Sequence, residues 1–391
     1  MKKVVLHGKK VDAVLRFHPW IFSGAIKFTD AQDGDWVEVV DPAQNFLAMG
    51  YYSSNSSIAV RVLSFEKITK EAIWLEKIKK AVALREQINL FNNPATNCFR
   101  LINAEGDGIP GLIIDFYNGT CVFQAHNNFI HNQKEQITAA LVDVLKDRLV
   151  AVFDKSEAML AKKKMQESKD SFLYGKPTTN LVVENNHSFE IDWAHGQKTG
   201  FFLDQRDNRN LIAQYANGKK ILNTFCYSGG FSIYAMKAGA AEVHSLDSSQ
   251  KAIELTEKNI QLNQFEKLPH QSFTQDIFDF FKTANTDEYD IIVLDPPAFA
   301  KNINARHQAV QAYKRLNKVA FEKIKKGGIV FTFSCSQAVT TEFFNGAVMA
   351  AAIEAKREVQ ILHHLSQPAD HPTSIFHPEG NYLKGLVLCI N

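Results

Sequence analysis

The chain has 391 residues, more than a single compact core of ordinary size accommodates, so two or three domains are expected. Hydrophobic residues make up 45% and charged residues 22%, a balance that excludes a disordered chain and permits a sizeable core. The formal net charge of +2 neither demands nor excludes nucleic acid, because a basic face can be balanced by acidic residues elsewhere.

No apolar run approaches the roughly 18 residues of a membrane-spanning helix, and the first residues hold no apolar stretch of signal-peptide length. No membrane partner is expected, and the cytoplasm is the expected location. Five cysteines (Cys98, Cys121, Cys226, Cys335 and Cys389) are odd in number and widely spaced, without zinc-site spacing. Neither a disulfide framework nor a bound metal is expected.

Residues 4–65 are short β-rich runs broken by turns at 33–35, 41–42 and 53–57, the pattern of a small β barrel or sandwich. Residues 69–91 carry apolar positions at helical spacing and predict a connecting helix. Strand candidates at 98–103, 111–117, 121–125 and 149–153, with a helix over 132–146, predict a small α+β unit. The polar stretch 161–176 reads as a solvated loop, with a basic contact to RNA as the alternative.

After a hairpin over 181–193, apolar runs at 221–225, 242–246, 290–294 and 328–334 alternate with helical segments. This predicts an α/β domain with a doubly wound parallel sheet covered on both faces. The organisation expected is therefore a β domain over 1–70, a linker helix and central α+β domain over 71–190, and a doubly wound domain over 191–391.

Paired glycines, Gly229 and Gly230, follow the first of these strands at the point where backbone turns sharply and approaches a ligand. Larger residues fill the earlier glycine positions of a dinucleotide fingerprint, so S-adenosylmethionine, which lacks phosphate, fits better than a dinucleotide. Asp247 closes the next strand about 20 residues later, where a carboxylate accepts both ribose hydroxyls. Asp276 closes a third strand. It can accept from an adenine amino group or cap the helix that follows.

The fourth strand ends at Asp295-Pro296-Pro297-Ala298-Phe299, and the fifth at Ser334-Cys335-Ser336. In the usual 3-2-1-4-5 order these ends are neighbours, about 5 Å apart across the sheet. Cytosine C5 is a poor nucleophile toward a sulfonium methyl. Attack of a Cys335 thiolate on C6 would turn C5 into an enamine carbon, with Asp295 hydrogen-bonded to N3. The competing reading makes Cys335 a buried structural thiol, since it shares a strand face with Phe331 and Phe333.

Nearly the whole chain resembles the bacterial large-subunit ribosomal RNA cytosine-5 methyltransferases that carry an N-terminal PUA domain. The resemblance rests on residues 17–26, 50–53, 191–209, 225–232, 295–299 and 334–336. It implies a PUA-like domain, a central α+β domain, a Rossmann-like S-adenosylmethionine-dependent catalytic domain and a frequent homodimer acting on ribosomal RNA. It also implies Cys335 as nucleophile, and Thr199 and Gln205 in the methyl-donor pocket beside Asn223, Phe225, Tyr227, Gly229, Asp247, Asp276 and Asp295. Asn223 stands where the resemblance leads one to expect an aspartate, and Asp204 is placed as a helix cap. Two alternatives compete: nitrogen methylation through Asp295 and Phe299 with Cys335 structural, and a non-catalytic RNA-binding protein that keeps the fold. Trp20, Tyr51 and Tyr52 are positioned to stack on bases or to fill the core.

Overall fold

The computed structural model describes every residue except 55, 163–167, 178 and 301. Contacts divide the chain into two compact units. One comprises Met1–Asn180, Ile191–Phe201 and Ala369–Gly380; the other comprises Leu181–Glu190, Phe202–Pro368 and Asn381–Asn391. This partition cuts the sequence differently from boundaries at 70 and 190. The hairpin before residue 191 belongs to the second unit, and a late segment returns to the first.

The first unit opens with β1 (Lys2–Leu6), the short helix α1 (Asp12–Leu15), β2 (Trp20–Phe22), β3 (Ile26–Thr29), β4 (Trp36–Val40), β5 (Phe46–Tyr52) and β6 (Ile58–Ser64). These form one six-stranded sheet in the order β2-β6-β5-β4-β1-β3. Val4, Leu6, Ile21, Val37, Val39, Ala48, Val60 and Val62 share one apolar core, so the sheet curls around it. Tyr51 belongs inside: it is fully buried, its ring stacks on Phe129 at 4.1 Å, and its hydroxyl donates to Pro110 O. It is therefore core and not a base-stacking residue. The Trp20 indole donates to Glu105 at 2.8 Å.

Helix α2 (Lys70–Gln87), capped by Thr69, leads into β7 (Cys98–Asn103), β8 (Leu112–Tyr117) and β9 (Thr120–Ala125). Helices α3 (Asn128–Asn132) and α4 (Lys134–Leu145), strand β10 (Ala151–Asp154), helix α5 (Glu157–Lys162) and strand β11 (Ser171–Gly175) complete a five-stranded sheet ordered β11-β10-β9-β8-β7. The expected loop over 161–176 is corrected in part. Residues 163–167 lie outside the described residues, but Ser171–Gly175 pairs antiparallel with β10 as an edge strand. Its Phe-Leu-Tyr run suits an edge, with Phe172 and Tyr174 exposed.

The second unit contains the hairpin β12 (Leu181–Glu184) and β13 (His187–Glu190), helix α6 (Arg206–Ile212), and then β14 (Lys220–Thr224), α7 (Gly230–Lys237), β15 (Glu242–Asp247), α8 (Gln250–Leu262), β16 (His270–Thr274), α9 (Ile277–Thr283) and β17 (Tyr289–Leu294). It ends with α10 (Arg306–Lys323), β18 (Ile324–Ser334), α11 (Thr341–Ala355), β19 (Val359–Leu365) and β20 (Lys384–Ile390). The sheet order is β16-β15-β14-β17-β18-β20-β19. The first five strands are parallel in the expected 3-2-1-4-5 order, while β20 lies antiparallel between β18 and β19. The central runs form strands because both faces are covered: residues 291–294 of β17 are at most 1% exposed. Loops at the carboxyl ends of such strands are where an open α/β sheet holds its ligands.

Candidate active site

The loop after β14 is conformationally demanding. Phe225, Tyr227 and Gly229 all have positive φ, at 54°, 49° and 74°. For Phe and Tyr that conformation costs about 1–2 kcal/mol each, so the surroundings must enforce it. They do so through backbone. Cys226 N donates to Leu246 O at 3.1 Å, Tyr227 N to Asp247 Oδ2 at 3.1 Å, and Gly229 N to Cys226 O at 2.8 Å.

Helix α8 straps the same loop from one face, where residues three apart lie side by side. Thr256 Oγ1 donates to Tyr227 O at 3.0 Å and Asn259 Nδ2 to Ser228 O at 2.8 Å, both from fully buried side chains. The amides of Cys226, Tyr227 and Gly229 are thus committed internally. Asp247 is fixed at both oxygens, by Tyr227 N and by Ser249 N at 2.9 Å, and each oxygen keeps a second lone pair for a hydroxyl donor.

At Gly229 a Cβ would lie 2.7 Å from Thr256 Cγ2. Gly229→Ala combines that clash with a strained φ, so the variant is expected to bind S-adenosylhomocysteine at least about tenfold more weakly, one decade per 1.4 kcal/mol. Calorimetric titration checks this. Unchanged affinity would mean that the loop does not contact the ligand.

Asn223 is buried, and its Nδ2 donates to Ser232 Oγ at 2.9 Å. The chain continues from Ser232 to Ser245 at 2.7 Å and from Ser245 to His270 Nε2 at 2.9 Å. Burial holds the His270 pKa below its ordinary value, against the pull of nearby Glu257. An amide donor is what Ser232 meets here, which accounts structurally for asparagine in place of aspartate. Asp276 is exposed and caps α9, accepting from Phe278 N at 2.8 Å and Asp279 N at 3.3 Å.

Asp295 and Cys335 follow β17 and β18, which are parallel neighbours. The register pairs Leu294 with Thr332, so Cys335 lies two residues further along its strand than Asp295. Gln205 Nε2 donates to Asp295 Oδ1 at 3.0 Å, while Asn208 Nδ2 donates to Gln205 Oε1 at 2.6 Å. Asn208 thereby fixes which end of the Gln205 amide faces the carboxylate. Asp204, expected as a cap, instead accepts from the Tyr382 hydroxyl at 2.7 Å, because a 3-10 turn over Leu203–Gln205 precedes α6.

Cys335 is half-buried. The residue after it is anchored twice, through Ser336 Oγ to Ala300 O at 2.8 Å and through Lys384 Nζ to Ser336 O at 2.7 Å. Beneath the pair, Tyr313 of α10 is fully buried, and its ring packs against Phe299 at 4.7 Å. Burial, with Cys335 and Asp295 nearby, pushes its hydroxyl up to about 12. Phe299 is thus turned toward the core.

Thr199 belongs to the first unit, where its hydroxyl donates to Asp115 Oδ2 at 2.5 Å and lies 3.2 Å from the Tyr117 hydroxyl. The second unit brings Gln205, Asn223, Phe225, Tyr227, Gly229, Asp247, Asp276, Asp295 and Cys335 to the carboxyl-end side of one sheet, with Asn223 turned inward. Sequence reasoning missed Asn208, Tyr313 and Lys384. Of these only Lys384, a charge opening the apolar run Gly-Leu-Val-Leu, left a local signal.

Comparison with known proteins agrees with this geometry. Residues 111–384 match the family model described as S-adenosylmethionine-dependent methyltransferase, and residues 4–65 match a PUA-like domain. Among curated relatives, ribosomal RNA large subunit methyltransferase I of Aeromonas hydrophila is 38% identical over 387 residues, covering 96% of both chains. The Escherichia coli protein of that name is 34% identical over 391 residues, covering 98% of both. A solved structure described as a proposed SAM-dependent methyltransferase from Streptococcus mutans shares the fold at TM-score 0.86 and 24% identity, covering all of both chains.

Proposed function

Because the chain belongs to the S-adenosylmethionine-dependent methyltransferases, and within them to the ribosomal RNA large subunit methyltransferase I family, we propose that it methylates C5 of a cytosine in large-subunit ribosomal RNA. The observation that carries this reading is the pairing of a half-buried cysteine with an oriented carboxylate at adjacent carboxyl ends, beside the strapped loop at 225–229.

The residues present fit the methyl donor. Asp247 keeps lone pairs for a ribose diol. Phe225, Tyr227 and Gly229 would surround it, with Asp276 nearby. When bound, S-adenosylmethionine supplies an electrophilic methyl group.

The protein's share of the chemistry falls to Cys335 and Asp295. The thiolate forms a bond to cytosine C6, and the electron pair displaced from the C5–C6 double bond makes C5 nucleophilic toward the methyl group. Asp295, held by Gln205, would in its protonated form donate a hydrogen bond to N3 and so stabilise the negative charge that develops there. After methylation C5 gives up its proton to water, the freed electron pair re-forms the C5–C6 double bond and the S–C6 bond breaks, returning its electron pair to sulfur.

The nitrogen-methylation alternative needs Phe299 as a stacking platform, and its ring instead packs on Tyr313. Loss of turnover has no support from Asn223, whose amide has a structural role. A PUA-like domain that recognises RNA by shape, a homodimeric assembly and a cytoplasmic site are part of the same proposal. Consistently, no helix among the described residues is long and apolar enough to cross a membrane.

The test is transfer of label from methyl-labelled S-adenosylmethionine to large-subunit ribosomal RNA, followed by digestion to nucleosides. Label in 5-methylcytidine is expected. Label in a nitrogen-methylated base, or none in RNA, would overturn the proposal.

A further inference from the structure

Lys384 is the first residue of β20 and pairs in register with Ser334, the residue before Cys335. Its side chain is 7% exposed, and Nζ donates to Ser336 O at 2.7 Å, the residue after Cys335. The ammonium is thus delivered between the two neighbours of the sulfur. A buried ammonium is normally met by a carboxylate, since withdrawing it from water without an opposite charge is unfavourable. Among the described residues, no carboxylate lies within ion-pair distance of Lys384.

The opposite charge it lacks is available next door. Burial pulls the Lys384 pKa down to about 8, and attraction to Cys335 is what opposes that fall. Two other ionisable groups share the site, from α10 and from the end of β17. Tyr313, at about 12, is neutral near physiological pH, and a negative charge on Asp295 works against a second anion. A thiolate here therefore needs a cation.

We propose that Lys384 is the positioning residue that fixes the Cys335 loop and holds its sulfur as a thiolate for addition to the substrate base. Ionisation releases the thiol proton to water. The electron pair left on Sγ makes the bond to carbon and returns to sulfur when that bond breaks. The inference rests on Cys335 being the nucleophile of the proposed reaction, but the state of the thiol is measurable without turnover.

The experiment follows alkylation of the full-length protein by iodoacetamide from pH 5 to 10, reading the Cys335 peptide by mass spectrometry to separate it from the other four cysteines. Wild type is compared with Lys384→Met, with Lys384→Gln, which keeps an amide donor, and with Lys384→Arg. Binding of S-adenosylhomocysteine reports that each variant is folded. Both neutral variants are expected to raise the midpoint by roughly one pH unit, slowing alkylation at pH 7 about tenfold, and Arg is expected to restore it. A neutral variant that folds and keeps the wild-type midpoint would overturn the inference, as would an Arg variant shifted as far as Met. A shifted midpoint together with full methylation by Cys335→Ala would remove the nucleophile and leave the Lys384–Cys335 coupling standing.

Discussion

Cys335→Ala is expected to abolish methyl transfer, lowering turnover by a factor on the order of 10⁴ or more, while donor binding stays within about twofold of wild type. The two effects separate because the groups that surround the donor loop come from β14, β15 and α8, whereas Cys335 follows β18. Ser336 and Lys384 anchor that loop through atoms other than the thiol, so the strand end should stay folded in the variant. A companion result uses RNA containing 5-fluorocytidine. Fluorine at C5 cannot leave as a proton, so the wild-type adduct should persist on a denaturing gel and be missing from the Ala variant. A variant that still methylates would make Cys335 structural.

Glu184→Leu should destabilise the second unit by about 3–5 kcal/mol. Glu184 is fully buried on the hairpin, where its two oxygens accept from Arg209 Nε at 2.8 Å and Nη2 at 2.7 Å, and from the Tyr234 hydroxyl at 2.9 Å. Removing the carboxylate leaves a guanidinium facing an apolar side chain in the interior. Arg209 also donates to Phe202 O and packs its Cδ against the start of α7, where a Cβ on Gly230 would lie only 2.8 Å away. The loss should therefore reach the donor loop and weaken S-adenosylhomocysteine binding. Urea unfolding measures the first effect, and the double variant Glu184→Leu/Arg209→Met should recover most of it. A single variant within 1 kcal/mol of wild type would show that the pair contributes little.

The parts of this site that were legible in sequence are those encoded locally. Asp247, Asp295 and Cys335 each stand at the carboxyl end of a buried, largely apolar strand, and a strand covered on both faces announces its own end. Asp276 likewise lies directly before a helical pattern and caps it. What was not legible depends on partners distant in the chain. Asp204 looks like a cap until Tyr382, 178 residues away, claims it, and Gln205 meets Asp295 across 90 residues. The edge strand β11 was hidden because only three of its residues carry strand character and polar residues precede them. The two-residue offset between Asp295 and Cys335 is a matter of register, which neighbouring strands decide together.

The order in which the sheet is assembled constrains how the protein is made. Strand β20 lies between β18 and β19, although it is last of the three in sequence, and it brings Lys384 to the Cys335 loop. Residues 369–380 meanwhile belong to the first unit. During synthesis the first unit cannot be completed until residue 380 has left the ribosome, nor the second until about residue 390, so the two are finished almost together and not amino-terminal first. Pairings of such long sequence separation form slowly, and while β18 waits for β20 it exposes an apolar strand edge. Nascent chains stalled before residue 384 should therefore be the species that chaperones hold.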